Sequence, residues 1–138
     1  MTAMVDIELH DLDGAALHWV VATIEGLAIE LVPPHYGAGW RIMLVATGAA
    51  YRPTEDWHQC GQLMDKYCKS FGMVSGSEPP RFRAFAHNGG PEGFCRLAGG
   101  DSIRVAFCRA IVRLRHGDTI QIPRVLAPKR LSAPADAA

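Results

Sequence analysis

The sequence carries no charge excess of either sign: fourteen Lys and Arg are matched by fourteen Asp and Glu over 138 residues. Domains that hold a phosphate backbone usually show a clear positive excess, so the balance argues against nucleic acid as the main partner. No apolar run approaches the roughly 18 residues that suggest a membrane span. Met1 to His10 holds two acids and no basic opening, so a secretory leader is not expected and the expected location is cytoplasmic.

Close cysteine pairs are missing too. Cys60, Cys68, Cys95 and Cys108 contain no CxxC spacing. A structural zinc site normally presents two close ligand pairs, and only His58 and Cys60 lie close together. No metal and no cofactor are expected, and in a reducing compartment the thiols pack as small hydrophobes without disulfides. The sequence also lacks a GxSxG elbow, a phosphate loop, an HExxH helix and a dinucleotide fingerprint.

What is present is ordinary for a soluble globular chain, with 49% apolar and 20% charged residues. The length suits one domain that buries roughly two-thirds of its unfolded surface. Residues 1–126 are read as that domain, and the Pro/Ala-rich stretch 127–138 as a disordered tail.

Residues 4–10 alternate, with Val5, Ile7 and Leu9 on one face, which predicts a half-buried strand. Asp11 or Asp13 can cap a following helix whose Leu17, Val20, Val21 and Ile24 form one stripe and whose exit is Gly26. Leu27–Val32 and Trp40–Thr47 read as strands of a hairpin joined by the turn-rich residues 33–39. A second helix is expected over about 59–70, from the spacing of Cys60, Leu63, Met64, Tyr67, Cys68 and Phe71. Residues 81–87 alternate like a strand, and residues 88–100, glycine-rich and aperiodic, read as a long loop. Ile103, Ala106, Phe107, Ala110, Ile111 and Leu114 define a third helix ended by Gly117, and residues 118–123 a last short strand. The expected fold is two-layer α+β, about three helices on a mostly antiparallel sheet of about four to six short strands.

The chemically dense stretch is Tyr51-Arg-Pro-Thr-Glu-Asp-Trp-His-Gln-Cys-Gly61, a polar connector between apolar periodic segments. Trp57 can offer a stacking face beside Tyr51, with Thr54 and Asp56 as polar partners; equally, Trp57 can plug the core while Asp56 caps the second helix. Arg109, off the apolar stripe of the third helix, can pair with Asp56, hold an anion such as a phosphate, or sit solvated. His58 and Cys60 stand two apart, which on a helix points them to different sides and weakens a thiol–imidazole nucleophile.

Three blocks of the chain resemble the NinX-like proteins of tailed phages and prophages: Gly14-Ala-Ala-Leu17 with Val21, the Tyr51-x-Pro-x-x-Asp-Trp57 loop leading to Gly61, and Arg109 followed by Gly117-Asp-x-Ile-x-Ile-Pro123. Thr54 matches the pattern's hydroxyl position, while Cys60 and Gln62 depart from a Gln-Gly-Gly-Pro run. The match spans roughly residues 6–126. It implies a phage or prophage origin, hence a bacterial host cytoplasm, and no particular reaction.

The expected function is a non-enzymatic binding module. It would take a host protein or a small nucleotide-like ligand between the loop and the third helix, through Tyr51, Thr54, Asp56, Trp57 and Arg109. The alternatives are an enzyme using Asp56, His58 or Cys60, and a weak DNA-binding regulator using Arg109, Arg113, Arg115, Arg124, Lys129 and Arg130. A homodimer through the edge near Pro123 or the Trp40–Thr47 strand is compatible with the pattern.

Overall fold

The computed structural model describes residues 3–89 and 93–128. Strand β1 (Met4–Glu8) pairs antiparallel with β7 (Thr119–Pro123), aligning Val5 with Ile122 and Ile7 with Ile120. After a 3-10 turn at Leu9–Asp11, Asp13 is the residue that starts helix α1 (Gly14–Ile24); its carboxylate accepts from the Gly14 amide at 2.8 Å. The helix ends at Gly26, whose φ of +70° needs a residue without a Cβ. There the Gly26 amide donates to the Thr23 carbonyl and the Leu27 amide to the Ala22 carbonyl, satisfying the carbonyls of the last turn.

The hairpin of β2 (Ile29–Val32) and β3 (Arg41–Leu44) forms across the Pro/Gly-rich connection. Helix α2 (Trp57–Tyr67) then leads into a three-stranded antiparallel sheet of β4 (Cys68–Met73), β5 (Phe82–His87) and β6 (Cys95–Gly100). Helix α3 (Ile103–His116) packs on that sheet and touches α1 and α2. Its buried residues include Cys108 and Val112 in addition to the expected stripe, because neighbours cover it on more than one side. The fold is α+β with antiparallel pairing throughout the described residues.

Among the described residues the strands number seven and divide into separate sheets of two, two and three. Two of them were not legible. Cys68 and Phe71 continue the spacing of α2, yet the chain becomes extended at Cys68 and pairs with β5. The expected loop at 88–100 contains β6, whose Gly100 serves close packing rather than looseness. A Cβ on Gly100 would lie 2.8 Å from the Ala106 nitrogen, so only glycine lets this strand approach α3.

A 3-10 turn at Arg124–Leu126 buries Leu126, and Ala127 packs against the core. The rest of the expected tail, from 129 onward, lies outside the described residues, as does part of the 88–100 segment. Among the described residues no helix is long and apolar enough to cross a membrane.

Candidate functional site

The connector between β3 and α2 is held from three directions. Gln59 reaches back along the chain: its side-chain oxygen accepts from the Arg52 amide at 2.7 Å, and its side-chain nitrogen donates to the Ala50 carbonyl at 2.8 Å. From α1, His18 Nε2 lies 2.6 Å from Thr54 Oγ1, inside the protein. From α3, Arg104 Nε donates to the Thr54 carbonyl at 2.9 Å. A loop with this many fixed points presents its remaining side chains in one geometry.

Those side chains differ sharply in access. Tyr51 and Thr54 are each only 6% exposed, and Pro53 is fully buried. Burial raises the Tyr51 hydroxyl far above its usual range, and the Glu25 charge adds to that effect. Asp56 is the cap of α2: one carboxylate oxygen accepts from the His58 amide at 2.8 Å and the Gln59 amide at 3.2 Å. Trp57 does not plug the core. It is 55% exposed, at the first position of α2, and the loop's buried volume is filled by Pro53 and Thr54 instead. The Arg104 guanidinium carbon stands 4.5 Å from its ring centroid, a cation–π contact that fixes the ring against the surface.

Arg109 does not join this cluster. Its Nε donates to the Leu12 carbonyl at 2.9 Å and its Nη1 to the Gly99 carbonyl at 3.1 Å, so it ties the first part of the chain to β6. Arg113, one turn later, donates to the Leu97 carbonyl at 2.8 Å. The two arginines therefore cap alternate carbonyls along one edge of β6. Arg115 and Arg124 are exposed, while Lys129 and Arg130 lie outside the described residues.

The groups proposed for nucleophilic chemistry do not converge. Asp56 is committed to backbone amides, and His58 is exposed with Gln62 at 3.4 Å. Cys60 is fully buried beside Cys108. The hydrogen bond that Cys108 donates to Cys60, together with complete burial, raises Cys108, so that thiol keeps its proton, while the same bond lowers Cys60. Among the described residues there is no group of His, Cys, Asp and Glu arranged to hold a metal ion.

The family model described as "Bacteriophage P22, NinX" matches residues 8–115. The chain belongs to the NinX family. That span contains α1, the whole connector and most of α3. Curated proteins gave no match.

Two members of this cluster carry no mark in the sequence. His18 sits among apolar helix residues with nothing nearby to mark it, and Arg104 contacts Thr54 across 50 positions. Neither has a local signal, since each acquires its partner only when the helices pack. His18 is 5% exposed, and burial lowers its pKa to about 4; the Asp13 charge opposes that shift and the Arg52 charge assists it. It is therefore a neutral imidazole at neutral pH. A recess of about 140 Å³ beside the loop opens against α1 and β3.

Proposed function

We propose that this NinX-family chain is a non-enzymatic phage accessory protein that binds a host protein through Trp57 and Arg104. The observation that supports this reading is the exposure of Trp57 in a connector otherwise pinned at Ala50, Arg52, Thr54 and Asp56. Trp and Arg dominate the energetics of protein interfaces, and a side chain already held in place loses little freedom on binding. A ring that is about half exposed suits a partner that supplies the enclosing wall. Small-molecule sites are concave and bury most of their ligand, so a nucleotide stacked on Trp57 alone is the weaker reading. The formal charge balance likewise favours protein over nucleic acid.

The test is site-specific photo-crosslinking in bacterial cells, with the crosslinker at His58 and, as control, at the exposed Lys69. The reading predicts one host-protein adduct from position 58, absent from position 69 and lost in a Trp57→Ala background. An adduct from position 58 that persists undiminished in Trp57→Ala would remove Trp57 from the interface.

A further inference from the structure

The recess of about 140 Å³ beside the connector is lined by His18, Trp40, Arg41, Tyr51, Arg52 and Glu55 among others. It lies apart from Trp57, and its chemistry is of a different kind. Arg41, the first residue of β3, has its Nε buried without a hydrogen-bond partner among the described residues. A buried guanidinium donor left unsatisfied is costly and uncommon, and it invites an acceptor. Arg52 brings a second cation to the same recess against the single carboxylate of Glu55, so the formal balance is one positive charge. Trp40, partly buried against the core, supplies a planar apolar wall.

The geometry points to an oxyanion site: Arg41 receives a carboxylate or phosphate group at the recess through its guanidinium, with Arg52 as the second cation and Trp40 as the wall. The guanidinium fork matches two oxygens of a planar or tetrahedral oxyanion, which a point-charge ammonium does not. The volume limits the occupant. Pockets that take drug-sized ligands run from roughly 300 Å³ upward, so this recess accepts an anionic group or a small acid rather than a whole nucleotide. His18, neutral and already engaged with Thr54, adds a polar wall without charge.

The experiment follows the Arg41 Nε–H resonance by nitrogen–proton NMR on the whole protein, at constant ionic strength. Inorganic phosphate and acetate are the probes and sodium chloride is the control. The site predicts a saturable shift of that resonance with phosphate, acetate or both. Phosphate alone assigns the site to a phosphoryl group and acetate alone to a carboxylate. Arg41→Lys, which keeps the charge and loses the fork, should weaken binding about tenfold, read from the Ala50 and Arg52 amides. Arg52→Gln should weaken it less, and Trp57→Ala should leave it unchanged. A resonance unmoved by both probes, or moved equally by chloride, overturns the proposal; so does a fully retained affinity in Arg41→Lys.

Discussion

Arg104 connects the buried and exposed halves of the β3–α2 connector: its Nε donates to the Thr54 carbonyl while its guanidinium faces the Trp57 ring at 4.5 Å. One side chain thus sets both the loop backbone and the orientation of its exposed aromatic. Arg104→Ala removes a partly buried hydrogen bond and a surface cation–π contact. The expected loss is about 1–2 kcal/mol in a urea titration, with a Trp57 ring more accessible to acrylamide quenching. Unchanged stability and unchanged quenching would mean that the contact does not hold the ring.

Asp56 acts on α2 through backbone amides alone. Asp56→Ala should cost about 1 kcal/mol, as removal of a helix N-cap does, without changing the slope of the denaturant transition. Asp56→Asn or Asp56→Ser should recover most of that loss. A variant as stable as the parent would show that the amides of His58 and Gln59 are satisfied by water.

His18 makes stability depend on pH in a defined direction. The folded imidazole protonates only near pH 4, whereas the ordinary value is 6.5. Between these values the unfolded chain binds more protons, so stability should fall as pH drops from about 6.5 towards 4, by at most about 3 kcal/mol. His18→Gln, which keeps a polar partner for Thr54, should flatten this part of the stability–pH curve. A parent curve already flat across that window would contradict the buried, neutral assignment.

Arg109 should behave as a structural clamp. Arg109→Ala leaves the Leu12 and Gly99 carbonyls without their guanidinium and should cost about 1–3 kcal/mol. Amide hydrogen exchange should rise in β6, while binding through Trp57 is preserved in the folded fraction. Loss of partner binding at full stability would instead restore Arg109 as a contact residue.

The helices were legible because their apolar spacing and their ends are local features: Leu17, Val20, Val21 and Ile24 with Asp13 and Gly26 define α1 without any tertiary information. The same holds for Asp56, whose place before a periodic segment marks a cap. Strand β4 was hidden because Cys68 and Phe71 fit the phase of α2, and only pairing with β5 decides between helix and strand. Strand β6 was hidden because Gly99 and Gly100 read as flexibility, whereas the packing of α3 makes glycine necessary at position 100. The site divides in the same way. Trp57 and Asp56 stand out in the connector itself, but His18, Arg41 and Arg104 come from other elements and acquire meaning only through contacts across long stretches of chain. Tyr51 and Thr54, polar and suggestive in sequence, are consumed by burial and by the hydrogen bond to His18.

The measurement that bears most directly on the proposed function is the affinity of the crosslinked host protein, once purified, for the parent, Trp57→Ala, Arg104→Ala and the double variant. An interface centred on Trp57 predicts a loss of about thirtyfold or more for Trp57→Ala, since central aromatic residues of this kind contribute about 2 kcal/mol or more. Arg104→Ala should lose less, and the double variant less than the sum of the two in free energy, because Arg104 acts partly by holding the ring. Equal affinity for parent and Trp57→Ala would contradict the account.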